Sequence, residues 1–147
     1  MDIFDLLEQE HRGIIALIEK LEKTAQPEQR VVLVRELELL VVPHARAEQG
    51  SMYPFLKRRD KMLGEVVEAE AEHELAEHLL HDLSTCDPAS EIWNDKFHAL
   101  KDHLVQHFKL EETSLFVAAR KILDTNETTM LSEQLPRAKE GFLKGMR

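Results

Sequence analysis

Two stretches of the sequence place a histidine and a glutamate four positions apart, which is about one turn of an α-helix. His44 and Glu48 form the first pair, His107 and Glu111 form the second, and both stretches read His-x3-Glu-[Gln/Glu]-x-Ser-apolar-aromatic. Residues i and i+4 lie on the same face of a helix. Each pair can therefore present an imidazole nitrogen and a carboxylate to one point, and these are donor types that bind iron, copper, zinc and nickel.

A second pair of stretches also repeats, and its two copies are separated along the sequence by nearly the same distance as the two His-x3-Glu motifs. Glu8-Gln9-Glu10-His11 corresponds to Glu70-Ala71-Glu72-His73. An internal repeat of this kind indicates a duplicated supersecondary unit. We expect two helical hairpins related by a pseudo-twofold axis, each carrying a histidine on its first helix and a His-x3-Glu motif on its second.

These polar residues occupy the faces that should form the hydrophobic core. His11 follows Leu7 by four positions, and Glu111 precedes Leu115 by four. Burying a charged group without a partner costs several kcal/mol, and cations held between the helices of a bundle would remove that cost. The sequence marks no nucleophile or other catalytic residue. It predicts a metal site with six ligands: His11, His44, Glu48, His73, His107 and Glu111.

A simpler interpretation is that both His-x3-Glu pairs are hydrogen-bonded pairs between helices. The metal hypothesis is favoured because four predicted helices contribute and both motifs repeat. Glu77 lies one turn after His73 and is a tentative seventh ligand, although a solvated glutamate explains it equally well. His103 lies one turn before His107, and a position beside the site suits it better than ligation.

Two further glutamates keep a different ligand set open. Glu8 and Glu70 precede His11 and His73 by three positions, which is the Glu-x-x-His spacing of ferritin-like di-iron bundles. The aromatic residues near the motifs are interpreted as packing residues rather than redox relays. These aromatic residues are Tyr53, Trp93 and Phe116.

The spacing of apolar residues predicts helices that would position these ligands. We expect four long helices and a shorter C-terminal one, at about 3–24, 28–59, 61–84, 90–123 and 127–144. Pro43 should kink or break the second helix, and Ser84 to Pro88 reads as a turn. The predicted fold is all-α, an antiparallel up-down-up-down four-helix bundle with a short extra C-terminal helix. Residues 1–147 would form one domain with its core at about 3–123.

Composition excludes several classes of protein. The 147 residues are 43% hydrophobic and 32% charged, which is typical of a folded domain. A formal net charge of −9 argues against nucleic acid as a partner. No apolar run is long enough for a membrane span, the acidic N-terminus does not look like a signal peptide, and the single Cys86 suits a reducing compartment. We therefore expect a cytoplasmic protein without a membrane partner.

The ordered ligand pattern resembles the haemerythrin family, in its bacterial haemerythrin-like (HHE cation-binding) branch. Met52-Tyr53-Pro54 and Leu115-Phe116, which follow the two motifs, also look like that family. The resemblance covers residues 5–120 or so and implies a four-helix bundle with two iron ions, Fe2+ or Fe3+, which an oxo or hydroxo group could also bridge. The six matching residues would be ligands, with Glu48 and Glu111 bridging the irons. Other divalent metals would fit the same donors.

The sequence also departs from the pattern of this family at positions that bear on function. Oxygen-carrying members have a histidine where this chain has Glu77, and they tend to have an aspartate where it has Glu111. A carboxylate-rich site would favour ferric iron over reversible O2 carriage. The favoured function is binding of O2 or a related small molecule, or sensing of iron or redox state; a sensing role would need a protein partner, which the sequence does not identify. Two competing hypotheses are an enzyme acting on peroxide, O2 or nitric oxide, and a structural bundle with adventitious metal.

Overall fold

A computed structural model describes residues 1–59 and 61–145, and within these ranges the regular structure is entirely helical. The predicted all-α bundle is confirmed. Seven α-helices and one π-helical turn follow in order: α1 Ile3–Glu22, α2 Pro27–Gln49, α3 Met52–Lys57, α4 Leu63–Ser84, α5 Trp93–Leu110, the π turn Glu111–Leu115, α6 Phe116–Ile122 and α7 Thr125–Gly145. The bundle consists of α1, α2, α4 and the continuous rod formed by α5, the π turn and α6.

Local signals fix the beginnings of the first two helices. The Asp2 carboxylate accepts a hydrogen bond from the backbone N–H of Asp5 at 2.9 Å, and the Asp5 carboxylate accepts one from the N–H of Asp2 at 3.1 Å. This reciprocal capping box satisfies donors that the first turn of a helix leaves free. Pro27 begins α2, where its missing N–H removes no helical hydrogen bond.

The second helix ends later than its proline suggests. Pro43 lies inside α2 without ending it, and the helix ends at Gln49, directly after the glutamate of the first motif. A proline ring costs a helix one backbone hydrogen bond, and packing of the buried face of α2 offsets that loss here. A side chain at Gly50 would meet the Arg46 carbonyl oxygen at 3.3 Å and Ala138 of α7 at 3.4 Å. The close approach of α7 therefore favours glycine where the chain leaves α2.

At the corresponding glutamate in the second half of the chain, the helix does not end. The rod from Trp93 to Ile122 stays helical but widens into a π turn that starts at Glu111. Single π turns of this kind are frequent at functional sites. In both halves, then, regular α-helical hydrogen bonding is interrupted at or just after the glutamate of the motif.

Buried apolar side chains form two clusters, one on either side of the motif residues. The first apolar cluster gathers the start of α1 with α3, α6 and α7 and includes Phe4 and Leu131. The second apolar cluster lies among α1, α2, α4 and α5 and includes Ile18, Leu37 and Trp93. The C-terminal helix α7 belongs to the first cluster and packs against α1 and α2. No helix within the described ranges is long and apolar enough to cross a membrane.

Candidate metal centre

The six predicted ligands meet in a polar layer between the two apolar clusters. They lie on four elements, α1, α2, α4 and the rod formed by α5 and the π turn. Each of them is almost completely buried. Their exposed fractions are His11 0%, His44 2%, Glu48 0%, His73 3%, His107 3% and Glu111 2%. The apolar spacing around these residues correctly predicted which way they face.

Their donor atoms form two groups that share both glutamates. In one group, donor atoms of His11, His44, Glu48 and Glu111 all lie within 4.8 Å of one another. In the other, donor atoms of His73, His107 and the same two glutamates do so. We call these the His11/His44 group and the His73/His107 group.

Each glutamate spans the two groups. Glu48 Oε1 lies 3.1 Å from His44 Nε2 and 3.3 Å from His73 Nε2. Glu111 Oε1 lies 3.0 Å from His11 Nε2, and its Oε2 lies 3.7 Å from His107 Nε2. The geometry suits two cations side by side, with one carboxylate reaching both positions from each half of the repeat.

Several of these buried atoms have no hydrogen-bond partner within the described residues. They are both carboxylate oxygens of Glu48, Oε1 of Glu111, Nε2 of His107 and Nδ1 of His73. The nearby imidazole nitrogens lie 3.0–3.7 Å from the carboxylate oxygens of Glu48 and Glu111 but form no hydrogen bond with them. A buried carboxylate without a partner is strongly unfavourable, whereas cations between the two groups would satisfy these atoms. The donor set of imidazole and carboxylate fits iron and other divalent metals.

Three outer glutamates orient the histidines. In each case a ring Nδ1–H donates to a carboxylate at 2.7 Å: His11 to Glu112, His44 to Glu10, and His107 to Glu72. Carboxylate–histidine pairs of this type fix the tautomer and the ring orientation of metal-binding histidines. Sequence reasoning did not identify these glutamates, although Glu10 and Glu72 directly precede the repeated histidines.

Tyr53 takes a polar role that its sequence pattern did not reveal. Its ring is fully buried in the first apolar cluster, as expected of a packing residue. Its hydroxyl, however, donates a hydrogen bond to Glu111 Oε2 and lies 3.1 Å from His73 Nε2. The phenolic oxygen therefore stands among the donors of the His73/His107 group. Burial, with the charges of Glu48 and Glu111, raises the pKa of Tyr53 well above its ordinary value.

The tentative ligand Glu77 lies outside both donor groups. Its carboxylate contacts Arg46 at 3.0 Å and is partly exposed, which matches the solvated interpretation better than ligation. Close to it, a cavity of about 10 Å3 is bounded by both Glu77 and the buried rings of His73, His107 and Phe108. That volume is close to the space occupied by one water-sized molecule.

His103, Glu8 and Glu70 also lie beside the two donor groups rather than within them. His103 Nε2 donates to the backbone carbonyl of Glu72 at 2.8 Å. Glu8 lies 3.8 Å from Arg120, and Glu70 lies 2.7 Å from Lys57. Neither Glu-x-x-His glutamate therefore contributes to the donor groups within the described part of the chain.

Trp93 lies away from the donor groups, in the second apolar cluster. Its ring stacks on that of Phe97 with the centroids 5.3 Å apart. This is the packing role that the sequence predicted for it.

Charge interactions among the predicted ligands shift several of their pKa values in the metal-free protein. Burial opposes protonation of His44, but the charge of Glu48 and the hydrogen bond to Glu10 outweigh it and raise the pKa of His44 to about 10. Burial also disfavours ionised Glu48, yet the His44 charge holds the pKa of Glu48 well below its usual range. Burial and the neighbouring Glu48 raise the pKa of Glu111. Protons thus partly compensate the charges that cations would balance.

The comparison with known domains agrees with this geometry. A family model described as "Hemerythrin HHE cation binding domain" matches residues 2–119. The chain belongs to this family. The predicted resemblance is therefore confirmed, and cation binding is the property that the family description and the donor groups share. The helix α7 lies beyond the matched residues of the haemerythrin HHE domain.

Two individual proteins are similar to this haemerythrin HHE domain. A solved structure of a haemerythrin HHE cation-binding domain protein from Mycobacterium kansasii superposes with a TM-score of 0.83 and 24% sequence identity, covering 97% of this chain and 87% of that one. A protein named DNA nickase from a Nostoc species is 24% identical over 139 residues, which are 95% of this chain. The match spans only 39% of that relative's length.

Proposed function

We propose that this protein is a non-haem di-iron protein that binds O2 or a related small molecule, or reports iron or redox state through the same centre. His11 and His44 would bind one iron, His73 and His107 the other, and Glu48 and Glu111 would bridge them. The observation that carries the proposal is the sharing of two buried glutamates by both donor groups, several of whose atoms have no other partner. Bound iron supplies the redox chemistry and a coordination position for the small molecule.

The oxygen-rich environment favours a sensing role over reversible carriage. Two carboxylates and the Tyr53 hydroxyl lie at the His73/His107 group, and hard oxygen donors stabilise ferric over ferrous iron. The small cavity beside His73 and His107 has a volume of about 10 Å3, which is near the lower limit for one water-sized molecule. We therefore place redox or O2 sensing, through a protein partner, ahead of O2 transport.

An enzyme acting on peroxide, O2 or nitric oxide is the second candidate. The observation that favours it is the Tyr53 hydroxyl, which could donate a proton next to the centre. The name of the Nostoc relative denotes an activity on DNA, but the net charge of −9 provides no electrostatic attraction for phosphates. We assign no such activity to this chain.

The absorption spectrum of protein loaded anaerobically with ferrous iron tests the proposal. A ferric charge-transfer band that forms in air and persists after deoxygenation would support redox sensing or catalysis, and sustained peroxide turnover would then favour the enzyme. A band that vanishes on deoxygenation would instead establish reversible binding. Failure to retain iron would leave the bundle as a structural domain with adventitious metal.

A further inference from the structure

The two halves of the repeat leave equivalent glutamates in different surroundings. Glu10 and Glu72 directly precede the histidines of α1 and α4, and each accepts a hydrogen bond from the histidine of a His-x3-Glu motif. The other oxygen of Glu10 lies 2.9 Å from Lys139 of α7. Glu72 instead lines a cavity that opens between α4 and the α5–π turn rod. The two sides of the centre are therefore not equivalent.

That cavity has an acidic rim and a floor formed by the centre itself. Its volume is about 80 Å3, enough for several water molecules. Glu65 and Glu68 of α4 stand at its exposed rim and Glu72 lies deeper, while His107 and Glu111 close the inner end. We call this cavity the acidic mouth.

Two further observations connect the acidic mouth with a cation. Glu65 and Glu68 take part in none of the ion pairs formed among residues 1–59 and 61–145, so their charges face the cavity uncompensated by a close partner. At the inner end, His107 and Glu111 are 3% and 2% exposed, and Nε2 of His107 and Oε1 of Glu111 have no hydrogen-bond partner in the same part of the chain. The rim can attract a cation, and the inner end offers it free donor atoms.

We propose that divalent cations, Fe2+ above all, reach the centre through the acidic mouth and first meet the His73/His107 group. Glu65 and Glu68 concentrate the hydrated cation at the rim, because a cleft lined by charges of one sign raises the local concentration of its counter-ion. On the opposite side, α7 covers the His11/His44 group, and the ammonium of Lys139 repels an approaching cation. This route rests on the proposed function, since it presumes that the centre holds metal.

The rate of Co2+ binding to metal-free protein, followed by stopped-flow absorption, tests the route. The double variant Glu65→Gln/Glu68→Gln should bind Co2+ roughly threefold to tenfold more slowly at low ionic strength, and the difference should shrink as salt screens the rim. The matched control is Glu74→Gln/Glu36→Gln, which removes two charges from exposed positions outside the acidic mouth. Its rate should stay within about a factor of two of the original protein.

The metal content at equilibrium separates the route from the function. Because Glu65 and Glu68 are not among the predicted ligands, the rim variant should still bind two Co2+ per chain. Equal association rates for the rim variant and the control would overturn the route, as would a faster rate in Lys139→Met with no change in the rim variant. If the unaltered protein binds no stoichiometric metal, the proposed function fails instead.

Discussion

The hydroxyl of Tyr53 donates a hydrogen bond to Glu111, which belongs to the other half of the repeat. Tyr53 lies on the short helix α3, which begins just after α2 ends. Because α3 follows the end of α2 directly, the phenolic oxygen of Tyr53 lies 3.1 Å from Nε2 of His73. The equivalent position in the second motif is Phe116, which has no hydroxyl. The repeat is therefore symmetric in its six predicted ligands but asymmetric in this oxygen.

Replacing Tyr53 with phenylalanine should separate packing from chemistry. The ring would still fill the first apolar cluster, but Glu111 would lose a buried hydrogen bond, so metal-free protein should lose about 1–2 kcal/mol in the free energy of unfolding. Chemical denaturation measures this loss. If the phenolic oxygen binds ferric iron, the visible charge-transfer band of iron-loaded protein should vanish in the variant. Identical spectra for the two proteins would restrict Tyr53 to a hydrogen-bonding role.

Removal of His44 should reduce the amount of metal bound. The variant His44→Ala loses one donor of the His11/His44 group and leaves Glu48 with only the His73 imidazole close by, so we expect the bound metal to fall from two ions towards one. Elemental analysis after dialysis checks this stoichiometry. The exposed His78 provides a matched control, since His78→Ala should keep the full metal content. Unchanged metal content in His44→Ala would contradict the assigned ligand set.

Metal binding should release protons at neutral pH. Since the pKa of His44 is about 10 in the metal-free protein, its imidazole is protonated at pH 7 and must lose a proton to bind metal. The apparent metal affinity should therefore rise by up to about tenfold per pH unit between pH 7 and 9. An ordinary imidazole would show such a dependence only below about pH 6.5. Calorimetric titrations in buffers of different ionisation enthalpy measure the released proton, and a metal affinity that did not change between pH 7 and 9 would mean that His44 is already neutral.

The same pKa has the opposite effect on metal-free stability. A pKa raised on folding stabilises the folded state fully below the unfolded value near 6.5, and this contribution disappears as the pH rises towards 10. Metal-free protein should thus unfold more easily at pH 9 than at pH 7. Denaturation midpoints at the two pH values check the direction. In His44→Ala the dependence over this range should be smaller.

Lys139 should influence the centre from outside. Burial opposes ionisation of Glu10, but the His44 ring and the Lys139 ammonium together outweigh it and lower the pKa of that carboxyl. In Lys139→Met, the ammonium would no longer balance the negative charge of Glu10 next to the His11/His44 group. The reduction potential of bound iron should therefore fall by roughly tens of millivolts. Redox titration measures this shift. Lys144→Met is the control, because its pair with Glu140 on the same helix is largely exposed and should leave the potential unchanged.

The sequence reveals much of the centre because buried polar residues stand out against an apolar stripe. The burial and convergence of the six predicted ligands could be predicted because these residues repeat at helical spacing on otherwise hydrophobic faces. Glu10 and Glu72 could not be distinguished from solvated charges, since nothing local shows which histidine of another helix they contact. The pairing of Glu77 with Arg46 is likewise a contact between helices. It follows from the packing of α2 against α4 rather than from either helix alone.

The helix breaks show a second limit of sequence reasoning. Pro43 carries the stronger local signal, yet α2 continues through it and ends at Gln49. A side chain at Gly50, directly after this end, would meet Ala138 of α7, and that close approach depends on the folded C-terminal helix. The hydroxyl of Tyr53 was missed for a similar reason, since an aromatic ring on an apolar face is usually explained by packing alone.

The division of the core by a polar layer has a consequence for folding cooperativity. The first and second apolar clusters are held apart by six buried polar residues, so without cations they can open as separate units. Bound cations would link residues of four helices, so that neither cluster could open without breaking bonds between metal and ligands. Amide hydrogen exchange in metal-free protein should therefore divide into two protection levels, whereas the loaded protein should exchange as one cooperative unit.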